Sequence, residues 1–197
     1  MAFEKLRLTG LTGQHYRLGE PMEVHDRDIY LGMLAPLPVS RDRTEVLIQR
    51  FVPSPFVKKE QKRNFGPLVL LEVTAFLAEQ FQGLQAVTYL LSREIELHGD
   101  GMTVALARSA LLQAMGAEAV AISPRPDSET PGNFVVQGVW GYNERNLAAL
   151  EQCLEKERAI YRQWDEAPDT GQSILALRDR LRQVLVRPGF KGGEGAD

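Results

Sequence analysis

Apolar and polar positions alternate at strand spacing through the first fifty residues. HYRLGEPMEV (15–24), RDIYLGML (27–34) and TEVLIQRFV (44–52) carry β-branched and aromatic residues, with HDRD and PLPVSRD as turn-forming breaks between them. Pro36, Pro38, Pro53 and Pro55 bar a helix from crossing these junctions. The pattern predicts an antiparallel meander of about three strands.

The period changes at Pro67, which suits the first turn of a helix because its missing N–H has no intrahelical acceptor there. Asn64 is a candidate cap. Val73, Phe76, Leu77, Phe81 and Leu84 recur at three- and four-residue steps, and Gly83 suits the left-handed residue that ends a helix. LQAVTYLLSREIEL (84–97) reads as either helix or strand; Val87, Thr88, Tyr89 and Ile95 favour strand. HGDG makes a turn, MTVALARSALLQAMG (102–116) a helix stopped by Gly116, and AEAVAIS (117–123) a strand. PRPDSETPGN is a loop before FVVQGVWGY (134–142), another strand. The order from Thr44 is strand, helix, strand, helix, strand, strand: an α/β unit closed by a hairpin.

Two amphipathic helices follow. The first, 144–167, has Asn143 as its cap and Leu147, Leu150, Leu154, Tyr161 and Trp164 near one face. The second, 172–186, shows Ile174, Leu177, Leu181 and Leu185 as a stripe. The expected class is α+β: N-terminal antiparallel strands, the central unit and two C-terminal helices. The expected division is a core of residues 1–141, a helical appendage 142–187 and a tail 188–197.

Composition narrows the function classes. With 197 residues, 44% hydrophobic and 25% charged, the chain is that of an ordinary globular protein. A net charge of -3 offers no chain-wide basic excess for nucleic acid. The longest aliphatic run, Leu68-Val69-Leu70-Leu71, falls far short of the roughly 20 residues of a membrane helix. The N-terminus lacks the apolar region of a signal peptide, and a cytoplasmic setting is expected. Cys153 is the single cysteine, which excludes an intramolecular disulfide and a cysteine-based zinc site. His15, His25 and His98 are dispersed, so no metal is expected; HDRD (25–28) reads as a polar turn.

The most informative stretch is VKKEQKRNFGPLVLLE (57–72). Residues 58–63 carry four positive charges and one negative, just ahead of a predicted helix start. Unpaired amides and the helix dipole favour an anion there, and Gly66 lets a ligand approach the backbone. A solvated basic loop is the plainer reading of the same residues. GVWGYNERN (138–146) is open to two readings as well, a pocket wall or a sheet edge turning into a helix.

Element order and loop together resemble the GCN5-related N-acetyltransferase (GNAT) family. In that family a strand leads to a loop of the form Arg/Gln-x-x-Gly-x-Gly/Ala, whose amides bind the pyrophosphate of acetyl-CoA at a helix N-terminus. Arg63-Asn64-Phe65-Gly66-Pro67-Leu68 matches the Arg and the first Gly and departs at Leu68 and at Pro67. The resemblance covers roughly residues 44–140. It implies acetyl-CoA or another acyl-CoA as co-substrate, bound by Lys62, Arg63, Asn64 and Gly66. Glu45 is the candidate base for the incoming amine, and Tyr89 the candidate phenolic proton donor. The family's two helices after the first strand have no counterpart in the pattern before Pro55. The alternative is a non-catalytic adaptor that uses the basic loop and the C-terminal helices for protein interaction. The stripes of those helices suit either packing on the core or a homodimer interface.

Overall fold

The structure is a computed structural model that describes residues 3–55, 65–92, 101–125 and 133–166. By compactness the chain divides into Met1–Arg162 and Gln163–Asp197. The expected second C-terminal helix, its stripe and the tail lie outside the described residues, as do residues 58–63 of the basic loop.

The first unit holds two four-stranded sheets. Strands β1 (Arg7–Thr9), β2 (Met22–Asp26), β3 (Ile29–Leu34) and β5 (Phe51–Pro53) form an antiparallel sheet in that order. Strands β4 (Glu45–Ile48), β6 (Ala86–Ser92), β8 (Phe134–Gly141) and β7 (Glu118–Pro124) form the other. Helix α1 (Gly66–Gln80) crosses from β5 to β6, α2 (Gly101–Ala114) from β6 to β7, and α3 (Glu144–Glu166) follows β8. The α+β class and the order strand, helix, strand, helix, strand, strand are as the pattern predicts. Residues 86–92 are strand, which decides most of the ambiguous stretch.

Three expectations are corrected. TEVLIQRFV is two strands rather than one arm of the meander: β4 pairs in parallel with β6, and β5 pairs with β3 in the other sheet. Helix α1 ends at Gln80, and Gly83 sits in the following turn without a positive φ, so it is not a left-handed stop. Phe65 is the N-cap residue of α1, with no side-chain cap, and Asn64 lies outside the described residues. A short strand that the periodicity did not announce, β1, adds an edge to the first sheet; only one turn of 3-10 helix, Leu11–Gly13, stands between β1 and β2.

Helices α1 and α2 share one face of the second sheet. Val46, Ile48, Val87, Tyr89, Val136 and Trp140 are buried on that inner face. The Tyr89 hydroxyl meets Thr74 of α1 at 2.8 Å, and Trp140 Nε1 donates to the Met115 carbonyl just past α2 at 2.7 Å. Gly116 ends α2 with φ +91°, and a Cβ there would clash with the Asn146 side chain. Asn143 caps α3 as its sequence position suggests: its Oδ1 accepts from the Asn146 amide at 2.9 Å. Leu150, Leu154 and Tyr161 of α3 are buried, whereas Leu147, expected on the same face, is 43% exposed; Asn146 occupies the buried position at that level.

Two buried acids tie the elements together. Glu72 of α1 takes a two-pronged bond from Arg158 of α3, at 2.8 and 2.9 Å. Asp26 at the end of β2 accepts from the Tyr161 hydroxyl at 2.8 Å and from Arg27 Nε at 3.0 Å. HDRD is thus a hairpin turn, with Arg27 at φ 54°.

Candidate active site

The site is made by a strand that changes sheets. Glu45, Val46, Leu47 and Ile48 lie beside Ala86, Val87, Thr88 and Tyr89. Beyond that point the chain turns to the other sheet, where Phe51, Val52 and Pro53 lie beside Leu34, Met33 and Gly32. Leu90, Leu91 and Ser92 continue to pair with β8 on one side and have no described strand on the other. A V-shaped gap therefore opens between β5 and β6.

The inward positions of this segment, 46, 48, 51 and 53, step by two, three and two. The extra residue in the middle step is what redirects the strand, as a bulge does. Gly32 holds the new partner close: its φ is +148°, and a Cβ would run into the backbone of Val52 and Pro53. The Ser54 amide bonds to the Leu31 carbonyl at 2.8 Å and extends this pairing.

Helix α1 begins at Gly66, on the chain that leaves β5. The Val69 amide closes the first turn on the Phe65 carbonyl, and Pro67 has no N–H. The amides of Gly66 and Leu68 therefore have no intrahelical acceptor, and they sit at the positive end of the helix dipole. Phe65 is buried and meets Phe51 edge-on at 5.9 Å, which joins the helix start to the strand bordering the gap. Of the candidate cofactor residues, Gly66 is at this helix start, and Lys62, Arg63 and Asn64 lie outside the described residues.

The two candidate catalytic residues are apart. Glu45 is exposed at the first position of β4, on the face away from the helices, three residues before the strand diverges. Tyr89 is fully buried beside Ile48, the last paired residue before the gap. Thr74 donates its own proton to the Leu70 carbonyl at 2.8 Å, so the Tyr89 hydroxyl donates to Thr74. Burial pushes the Tyr89 phenol far above its ordinary range. The hydroxyl of Tyr142 is also buried and has no bonding partner among the described residues, and burial raises it too.

The remaining candidates are structural. Burial raises the half-buried Cys153 thiol and keeps it protonated at neutral pH. His25 approaches Glu23 at 3.4 Å, and no group of three His, Cys, Asp or Glu side chains that could hold a metal occurs among the described residues. GVWGYNERN is a sheet end turning into a helix, with Trp140 buried against Tyr142. No helix among the described residues is long and apolar enough to cross a membrane.

Sequence reading missed the residues that border the gap: Arg50, Val52 and Leu90. The available signal was the polar pair Gln49-Arg50 inside the apolar run 46–52, which breaks a two-residue period.

A parallel strand pair that parts after Ile48, followed by a helix and a hairpin, gives an α+β fold whose element order resembles that of the GNAT family. No family model and no curated protein sequence matches the chain. Among solved structures, it is similar to Arabidopsis thaliana Naa50 in complex with a bisubstrate analogue, CoA-Ac-MVNAL. The TM-score is 0.41 and the identity 11%, over 71% of this chain and all of that one. A protein of unknown function from Aquifex aeolicus VF5 gives 0.41 and 13%, over 93% of this chain and 92% of its own. The CoA-dependent acyl-homoserine lactone synthase MesI gives 0.38 and 11%, over 75% and 76%. Likeness this distant says nothing of substrate.

Proposed function

We propose that this protein is an acyl-CoA-dependent N-acyltransferase. The observation that carries the reading is the splay between β5 and β6, with a helix start on the chain leaving β5. In the family it resembles, such a gap holds the thioester. The pyrophosphate is assigned to the amides of Gly66 and Leu68, with the side chains of Lys62, Arg63 and Asn64 supplying charge and hydrogen bonds.

The chemistry is direct attack of an amine on the thioester. The amine lone pair forms the C–N bond, the C–S bond breaks, and the thiolate takes a proton. Glu45 is assigned as the acceptor of the ammonium proton. It stands about 10 Å of strand rise before the gap, so a water chain has to link the two. Tyr89 is the assigned neutral donor to the thiolate, and it must exchange its bond to Thr74 to act.

Thermal unfolding with and without acetyl-CoA and CoA tests the reading. A ligand at 100 times its dissociation constant raises stability by about 2.7 kcal/mol. Arg63→Ala is expected to weaken that response. No shift at millimolar CoA, with Arg63→Ala equally indifferent, sinks the proposal.

A further inference from the structure

The outer rim of the gap has a chemistry of its own. Phe51 meets Phe65 at the start of α1, so Val52, its neighbour in β5, faces the opposite way, and Arg50, just before the strand, is exposed. Cross-strand neighbours agree: Val52 lies beside Met33, and the Ala35 amide bonds to the Arg50 carbonyl one step along. Across the gap Leu90 faces outward from β6. Val52 is 40% exposed and Leu90 38%. Met33, paired with Val52, and Leu47, paired with Thr88, are half-buried.

Arg50 is exposed, and it makes no ion pair with a described residue. Glu45 and Glu23, the carboxylates on this face nearest in the strand register, are five residues back and two strands across. An unpaired guanidinium next to exposed aliphatic side chains offers a fork for a carboxylate and a surface for an apolar body.

We propose that the amine acceptor is an α-amino acid with an apolar side chain. Its carboxylate is held by Arg50, and its side chain rests against Val52 and Leu90. The inference rests on the acyltransferase reading above. The helices fill the inner face, so the acceptor comes to the thioester from this outer side. Its amine nitrogen joins the acyl carbon, the C–S bond breaks, and N-acyl amino acid and CoA thiol leave. A polyamine meets a like charge at Arg50 and is disfavoured there.

The experiment has two arms on the full chain. The first is the thermal shift with acetyl-CoA, which tests the underlying reading by itself. The second follows release of the CoA thiol with L-leucine, L-methionine and L-phenylalanine, with their amides, and with spermidine. The free acids are expected to exceed their amides by at least about tenfold in kcat/KM, because loss of the carboxylate leaves Arg50 without its partner. Arg50→Gln is expected to erase that preference through KM while leaving the acetyl-CoA shift intact, and Arg50→Lys to restore part of it. Two results overturn the inference while the transferase reading stands: amides or spermidine used as well as the acids, or an unchanged preference in Arg50→Gln. Absence of any acetyl-CoA shift overturns both.

Discussion

Glu72 and Arg158, 86 residues apart, form a two-pronged ion pair at 2.8 and 2.9 Å that ties α3 to α1. Glu72 is buried at 4% exposure, and the Arg158 side chain keeps 21%. Removing one partner leaves a buried charge unpaired. Arg158→Met is expected to destabilise by about 3 kcal/mol, and Glu72→Met by a similar amount. The double variant is expected to recover most of the loss. Urea unfolding of the four proteins gives the cycle; strict additivity contradicts the coupling.

Two tyrosines differ in how their hydroxyls are satisfied. Tyr89 donates to Thr74, while the buried Tyr142 hydroxyl has no partner among the described residues. Tyr89→Phe is expected to cost about 1 kcal/mol. Tyr142→Phe is expected to be neutral or stabilising, because it removes a desolvated group that makes no bond. Unfolding midpoints read both, and equal losses count against the assignment.

Alkaline pH is expected to weaken the fold before it reaches the arginines. Burial pushes the Tyr16 hydroxyl up to about 12, helped by Glu20 and opposed by the Gly19 amide, and burial also raises Tyr89 and Tyr142. A phenol whose folded pKa is raised is ionised more easily in the unfolded chain. Its stabilising contribution is complete below pH 10 and is lost as pH rises toward 12, at up to about 1.4 kcal/mol per pH unit per tyrosine. Tyr16→Phe is expected to flatten the slope of stability against pH between 10 and 12. A slope identical to wild type would falsify the assignment.

Gly32 controls the border of the gap. A Cβ at this position meets the β5 backbone, and the φ of +148° is one that other residues rarely adopt. Gly32→Ala is expected to push β5 from β3, cost at least about 2 kcal/mol and reduce the acetyl-CoA response. Gly83→Ala is the control: a Cβ there meets nothing within 4 Å, and little change is expected. Calorimetry with and without acetyl-CoA separates the two.

Much of the fold was legible because its signals are local. Pro67 in the first turn, Asn143 as a cap and Gly116 as a stop each depend on a few neighbouring atoms, and the two-residue and 3.6-residue periods follow from backbone geometry. Gly83 misled because the same residue type serves a left-handed stop and an ordinary turn, and only the surrounding path distinguishes them. The candidate site was legible in part. The helix start at Gly66 has a local signature, but which side chains border the gap depends on where one strand leaves its neighbour.

By itself, then, the sequence determined the elements, their order from Thr44 and the point at which α1 begins, since hydrophobic period, proline and caps act over one or two turns. Tertiary structure alone decided that residues 45–53 serve two sheets, that Glu72 meets Arg158, that Asp26 meets Tyr161 across 135 residues, and that Val52 and Leu90 are exposed. Strand partners and buried polar pairs are chosen by what the whole core can close around, and no window of the chain contains that choice.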